Sequence, residues 1–147
     1  MIRDNDPRMP SRNDSPPMLD GILLCDQIIE DRLSGKKTIV GIFQEILAAK
    51  FPCVHSSMWI YAVISDAEGD YEFELRLCDG ESLNVIGLSR TGTIRIANRL
   101  QRTEIQIRMD GLPLAKPGQY VFQILANNEL VAEKPFYARE VQRAKPS

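Results

Sequence analysis

The feature that most constrains the fold is the segment from Pro117 to Phe136, which has the composition of two paired β-strands. Pro117-Gly118 is a turn signal, because proline presets φ and glycine accepts positive φ. The run that follows is rich in β-branched and aromatic residues, which favours a strand. Side chains in a strand alternate with period two, so one face of this strand is apolar. The residues of that face are Tyr120, Phe122, Ile124 and Ala126.

The second half of this segment predicts the return strand of a hairpin. Asn127-Asn128 tolerates the left-handed conformation that a tight turn requires. Ile124 would pair with Val131 across a two-residue turn, or with Ala132 across a bulged one, and the sequence leaves both open. Pro135 lacks a backbone donor and should end the pairing. The segment therefore predicts the closing hairpin of an antiparallel sheet.

Two further segments alternate cleanly between apolar and polar residues. Tyr71–Cys78 and Thr103–Met109 each predict a strand with one dry and one wet face. Asp79-Gly80 is a strong hairpin signal, and Asp110-Gly111 should end the later strand. Five other strands are predicted, at Gly21–Ile29, Thr38–Phe43, Met58–Ile64, Leu83–Leu88 and Thr93–Ala97. Gln44–Lys50 predicts one short helical turn, which Phe51-Pro52 would stop.

These elements predict an all-β fold: an immunoglobulin-like antiparallel β-sandwich of about seven to nine strands, with at most one short helical turn. Gly118-x-Tyr120 ahead of a core strand fits a tyrosine corner, in which the phenol bonds back to the backbone. Residues 1–18 are predicted to be a disordered leader, because they are rich in proline and poor in apolar side chains. Residues 19–139 form the predicted domain, and residues 140–147 a flexible polar tail.

Charge and hydropathy exclude several classes of protein. The formal net charge of -2 argues against a nucleic-acid binder. No apolar run approaches the ~18 residues of a membrane helix, and the N-terminus lacks a secretory signal, so we expect a cytoplasmic protein with no membrane partner. Cys25, Cys53 and Cys78 form an odd set at wide spacings, which predicts reduced thiols that act as small buried hydrophobes.

Few residues suggest catalysis or metal binding. Cys53-x-His55 brings a thiol near the single histidine, but neither an oxyanion signature nor zinc-binding cysteine spacing accompanies it. Asp26 in an apolar strand could be a ligand or catalytic carboxylate. More often such a residue caps a neighbouring turn, pairs with a nearby lysine or protects a sheet edge. Gly41 indicates a bulge or a close backbone approach. We therefore predict no catalytic, cofactor-binding or metal-ligating residue, and no cofactor.

A locally basic region could meet phosphates or an acidic partner. It contains Arg90, Arg95, Arg99, Arg102 and Arg108. The favoured interpretation is a solvated polar sheet face, because acidic residues are placed to oppose these arginines and no aromatic residues interleave to stack bases.

The order of several motifs resembles that of a family of bacterial all-β proteins built on a domain of unknown function. The motifs are Cys25-Asp26, Gly35-Lys36, Val40-Gly41-Ile42-Phe43, Phe51-Pro52, Pro117-Gly118-x-Tyr120-x-Phe122 and Pro135-Phe136. The resemblance covers about residues 19–138. It implies a small all-β domain and no activity, so it implies no functional residues.

We expect a non-enzymatic intracellular module for protein binding or assembly, and a homodimer is plausible. An apolar stripe on the outer side of Gly21–Ile29 or of Gln119–Leu125 would be the seam. One alternative is a small-molecule or glycan binder that uses Trp59, Tyr61 or Tyr71 as an aromatic platform, which an exposed Trp59 would favour. A second is a metal or thiol enzyme built on Cys53 and His55, which would require Cys25 or Cys78 close by.

Overall fold

The computed structural model describes residues 16–142, and within that range nine β-strands form two packed sheets. The strands are β1 (Met18–Glu30), β2 (Lys37–Phe43), β3 (Glu45–Ala48), β4 (Cys53–Ser65), β5 (Gly69–Asp79), β6 (Val85–Ile96), β7 (Thr103–Leu114), β8 (Gly118–Ala126) and β9 (Glu129–Glu140). Sheet A has the order β2-β1-β4-β7, and sheet B has the order β3-β9-β8-β5-β6. The predicted all-β sandwich is confirmed.

The core lies where the alternating patterns placed it. On β5 the side chains of Tyr71, Phe73, Leu75 and Leu77 are buried, and on β7 those of Ile105, Ile107 and Met109. The apolar face of β8 is buried against them. Because successive side chains point to opposite faces, the residues between these positions face outwards, and most of them are polar. Among the polar outward-facing residues, Glu74 departs from the pattern, since it is only 6% exposed.

Several strands are longer than predicted. The predicted strands Leu83–Leu88 and Thr93–Ala97 overlap one strand, β6 (Val85–Ile96), which pairs with β5 along its length and accommodates register shifts. Asp110-Gly111 does not end β7, because Gly111 adopts a positive φ of 62° and the strand continues to Leu114. Glycine takes this conformation without steric cost, so the strand passes through it without ending.

The predicted helical turn at Gln44–Lys50 is wrong. Residues Glu45–Ala48 form β3, an edge strand that pairs in parallel with β9 between Tyr137 and Glu140. The sandwich is therefore not purely antiparallel. The local composition favoured a helix, but Ile46 is 5% exposed and reaches the core from the strand. Packing of this kind routinely overrides a weak local propensity.

The closing hairpin combines the two predicted turn geometries. Asn127 and Asn128 both have positive φ, 48° and 68°, as a two-residue type I′ turn requires. A register shift follows on the strands, so that Ile124 pairs with Ala132. The expectation that Pro135 ends the pairing is wrong, because β9 continues to Glu140. β3 pairs with β9 only from Tyr137 onwards, beyond the proline.

The tyrosine corner is confirmed. The hydroxyl of Tyr120, a residue that is 2% exposed, donates a hydrogen bond of 2.6 Å to the carbonyl of Lys116. Nearby, the amide of Gly80 donates to the carbonyl of Gln119 at 2.9 Å. A Cβ at position 80 would lie 2.3 Å from that carbonyl oxygen, so the turn after β5 needs a glycine there.

The described part of the chain bears only partly on the predicted boundaries. Met18, assigned to the leader, begins β1, and Glu140, assigned to the tail, ends β9. The amide of Val141 donates to the carbonyl of Ala48 at 2.9 Å. Most of the predicted leader, residues 1–15, and residues 143–147 of the tail lie outside the described residues.

Candidate functional site

The Cys53-His55 pair does not form a catalytic arrangement in the described chain. Cys53 packs against the core at the start of β4, and no hydrogen bond joins it to His55 within residues 16–142. The histidine ring meets Phe43 edge-on, with 6.0 Å between centroids, and its Nε2 is buried without a hydrogen-bond partner in that range. Burial lowers the pKa of His55 and raises the pKa of the Cys53 thiol. A neutral thiol beside a neutral imidazole is a poor nucleophile.

The three cysteines are free and lie in separate places. The Cys25 thiol donates to the Trp59 carbonyl at 3.7 Å in sheet A, and the Cys78 thiol lies 3.6 Å from Oε1 of Gln123 in sheet B. Burial raises the pKa of both thiols. Among residues 16–142, no three His, Cys, Asp or Glu side chains are grouped as metal ligands. The prediction that the cysteines act as small buried hydrophobes fits Cys25 and Cys78, and Cys53 is half-buried.

Most of the basic region is neutralised by acidic neighbours. The pairs are Arg90 with Glu74 (2.8 Å), Arg95 with Asp70 (3.8 Å), Arg99 with Asp66 (3.1 Å) and Arg108 with Asp110 (2.8 Å). Arg108 also lies over the ring of Trp59, 5.8 Å from its centroid. These pairs form the polar surface that the sequence analysis favoured. The partner of Arg90 lies on the neighbouring strand β5, and the partner of Arg108 lies on the same strand as Arg108, β7.

The three predicted platform residues differ in exposure. Tyr71 is buried at 2% exposure and its hydroxyl donates to the carbonyl of Glu68, so it cannot present an open ring. Trp59 and Tyr61 are half-buried on the outer side of sheet A. The Tyr61 hydroxyl donates to Oε2 of Glu104, and this bond raises the pKa of Tyr61 to about 12. The same bond lowers the pKa of the Glu104 carboxyl.

A hairpin formed by β1 and β2 explains this partial burial. Cys25 of β1 pairs with Trp59 of β4, and Glu30, the last residue of β1, pairs with Lys37 of β2. If β1 continued straight along β4, Glu30 and Lys37 would therefore lie level with Val54. Glu104, however, pairs with Val63, about 30 Å farther along β4. The Lys37 ammonium nevertheless lies 2.9 Å from the Glu104 carboxylate. The outer half of the hairpin must therefore fold back across the outer face of sheet A.

The bend falls at Asp26 and Gly41, the two residues that the sequence marked as unusual. Gly41 has a φ of 69°, and a Cβ there would lie 2.4 Å from Oδ2 of Asp26. The predicted close approach is thus confirmed, and its partner is the Asp26 carboxylate. Asp26 itself is exposed, and its charge raises the pKa of His55 against the larger lowering caused by burial. Within the predicted strand Gly21–Ile29 only Leu24 and Cys25 are buried, and β1 leaves β4 beyond Cys25.

The two faces of the folded-back hairpin differ in exposure. Ile28, Lys37 and Ile39 are half-buried, which places them on the side towards sheet A. The opposite side and the turn carry four exposed aliphatic residues, which we call the hairpin surface: Ile29 (48% exposed), Leu33 (96%), Val40 (40%) and Ile42 (57%). An outer apolar stripe at β1 was anticipated from the sequence, whereas the share contributed by β2 was not. On β8 the outward-facing residues Val121 and Leu125 are buried, so the apolar stripe anticipated on that strand is not exposed.

β2 is also an open sheet edge. Within residues 16–142 it pairs only with β1, so its other side presents unpaired backbone groups. Edge strands are usually protected by charges, proline or bulges. Residues 38–43 (TIVGIF) contain neither a charge nor a proline, and the bend at Gly41 is the one interruption of this edge. The sequence showed an apolar strand without charge or proline, and only the sheet order identifies that strand as an edge.

The family model of DUF6941, described as a family of unknown function, matches residues 20–139. The chain belongs to this family. The predicted resemblance to a family of unknown function is therefore confirmed over residues 20–139. Among curated proteins, none matches the DUF6941 chain in sequence.

Two solved structures resemble the DUF6941 domain at low similarity. One is an alkylpurine DNA glycosylase from Pseudomonas fluorescens bound to DNA, with 12% identity and a TM-score of 0.46 over 65% of this chain. The chain spans only 27% of that protein. The other is an immunoglobulin-like protein from Pseudomonas aeruginosa, with 16% identity and a TM-score of 0.42 over 85% of this chain and 98% of that one.

The domain is an all-β sandwich of two sheets, as its sequence predicted. The tyrosine corner at Tyr120 belongs to the same architecture. Over residues 16–142 no helix has the length and apolarity needed to cross a membrane.

Proposed function

We propose that this domain is a non-enzymatic assembly module that pairs with a second copy of itself through β2. The observation that carries the proposal is an open edge strand, free of charge and proline between Thr38 and Phe43, whose hairpin exposes aliphatic side chains. Strand addition at such an edge supplies main-chain hydrogen bonds, and adjacent apolar residues supply buried area.

A second copy fits this edge better than an unrelated strand would. Two β2 strands related by a twofold axis run antiparallel, so the same patch serves both partners. With the axis at Val40, Thr38 of one copy would face Ile42 of the other, and no like charges would oppose each other. Lys37, the one charged residue of β2, is held by Glu104 within its own subunit.

Two of the other sheet edges, β3 and β7, are less suitable. β3 is only four residues long. β7 is approached by β6, where the Ser89 hydroxyl donates to the Arg108 carbonyl at 2.9 Å. That bond occupies part of the backbone edge that another strand would use.

The test is the mass of the full chain in solution across a concentration series, measured by analytical ultracentrifugation. We expect a reversible dimer, which Ile42→Lys should abolish because it places a charge in the seam. Leu47→Lys is the matched control, since Leu47 is 54% exposed on the edge strand β3, and this variant should still dimerise.

Three results would contradict the proposal. A monomer at every concentration excludes self-pairing. A dimer that Ile42→Lys leaves intact places the seam elsewhere. Equal loss of the dimer in Leu47→Lys and Ile42→Lys shows that the effect does not belong to β2. Circular dichroism of each variant confirms that the β-fold is retained.

A further inference from the structure

A cavity of about 450 Å³ is lined by residues of both sheets, at the end of the sandwich where β4 begins and β7 ends. Leu114 and Tyr120, at 0% and 2% exposure, line its buried side, and Val54 and Ile86 line it from β4 and β6. Pockets that hold small molecules have volumes of roughly 300–1,000 Å³ and mainly apolar walls. This cavity has both properties.

The charged groups of the cavity compensate each other. Oδ1 of Asp79 accepts hydrogen bonds from the amides of Glu81 (2.8 Å) and Ser82 (3.0 Å). These bonds lower the pKa of Asp79, and the charge of Lys116 lowers it further. Asp79 is therefore ionised at neutral pH, and Lys116, which also lines the cavity, balances its charge.

The other polar side-chain groups of the lining are the Tyr120 hydroxyl, which donates to the Lys116 carbonyl, and the thiol of Cys53. This residue is half-buried, and burial raises the pKa of its thiol, so the group is neutral at physiological pH. The cavity consequently has no uncompensated charge. Moving an ionic ligand into such a site would cost desolvation free energy that no partner returns.

We propose that this cavity is a binding site for a small, uncharged and largely apolar molecule. The site is independent of the assembly proposed above, because its lining includes no residue of β1 or β2. The apolar walls contact the body of the ligand, and its entry buries apolar surface on both partners. Loss of dimerisation in Ile42→Lys would leave this site unaffected, so the two proposals fail separately.

The first test uses N-phenyl-1-naphthylamine, a neutral dye that fluoresces in apolar surroundings. We expect saturable binding of one dye per chain. Ala115→Phe should weaken it by about tenfold or more, because Ala115 lines the cavity and a phenyl group would fill it. Ala97→Phe is the matched control: Ala97 is also exposed, lies in the turn between β6 and β7, and should tolerate the change without loss of dye affinity.

Two further measurements identify the site and the ligand class. Saturating dye should slow alkylation of Cys53 by N-ethylmaleimide, since Cys25 and Cys78 are buried. The anionic analogue 8-anilinonaphthalene-1-sulfonate should bind at least about tenfold more weakly than the neutral dye. Absence of saturable dye binding, equal affinity in Ala115→Phe, unprotected Cys53, or tighter binding of the anion would each overturn the proposal.

Discussion

Lys37 and Glu104 are 67 residues apart in sequence, yet Nζ of Lys37 lies 2.9 Å from Oε1 of Glu104. The contact joins the first hairpin to β7, across Tyr61 of β4, whose hydroxyl donates to the other oxygen of the same carboxylate. This relationship holds the hairpin surface in place. The hairpin covers part of sheet A with one face and presents aliphatic residues with the other.

Lys37→Met should loosen the hairpin without unfolding the domain. An exposed ion pair contributes at most about 1 kcal/mol to stability, so the main effect is local. Trp59, the only tryptophan of the chain, is half-buried on the face that the hairpin crosses. We expect its fluorescence to be quenched more strongly by acrylamide in this variant. Lys36→Met, a change at the exposed neighbouring residue, is the control, and equal quenching in both variants would contradict the role assigned to Lys37.

Glu74 should contribute stability that depends on pH. Its carboxylate accepts hydrogen bonds from Arg90 (2.8 Å) and Arg76 (2.5 Å) on the outer side of sheet B. Arg90 is the larger cause, and Arg76 the next favourable one, of a folded-state pKa below the ordinary value of 4.5. The unfolded chain binds the proton more readily, so this stabilisation is present above pH 4.5 and is lost as the pH falls through the folded-state pKa.

The corresponding experiment is urea unfolding of Glu74→Gln at neutral pH and at a pH well below 4.5. We expect a loss of about 1–2 kcal/mol in the free energy of unfolding at neutral pH, and a much smaller loss in acid. Glu72→Gln, at an exposed position on the same strand, should change stability little at either pH. A loss for Glu74→Gln that is the same at both pH values would show that its charge is not the cause.

Tyr120→Phe tests the tyrosine corner. The change removes the hydroxyl that donates to the Lys116 carbonyl and leaves the stacked contact with Phe136, whose centroid is 5.6 Å away. We expect the free energy of unfolding to fall by about 0.5–1.5 kcal/mol, the net contribution of a typical intramolecular hydrogen bond. Tyr137→Phe, at a tyrosine that is 52% exposed, should lie within roughly 0.5 kcal/mol of the parent. Similar losses in the two variants would mean that the corner contributes nothing particular to stability.

The strands and their buried faces were largely predictable from local patterns. Phe73 and Ile107 lie inside because period-two alternation assigns each side chain to a face, and burial rewards the apolar one. The turn at Asn127-Asn128 and the tyrosine corner at Gly118-x-Tyr120 were also predictable, since both depend on residues close in sequence. Local composition misled the interpretation of residues 44–50, where pairing with a strand about 90 residues away outweighed a weak helical preference.

The candidate site was predictable only in part. An apolar outer stripe near β1 could be anticipated, because Ile29 and its neighbours form a nearly continuous apolar run, whereas a half-exposed strand alternates between apolar and polar residues. The position of this stripe at an open edge depends on the order of strands in the sheet. The residues of a strand indicate which of its faces is apolar, but they do not indicate which strands lie beside it. The cavity between Leu114 and Ile86 likewise depends on how two sheets meet at one end.

The amino-acid sequence by itself determined the strand content, the inward faces, the principal turns and the family of this protein. These properties follow from short-range sterics and from the period of the pleat, which act within a few residues. Only the tertiary structure decided that the first hairpin folds back so that Lys37 meets Glu104, that β2 is left as an open edge, and that a cavity forms beside Cys53. Those features arise from contacts between distant segments, and their free energies depend on which strands pair rather than on any one strand's composition.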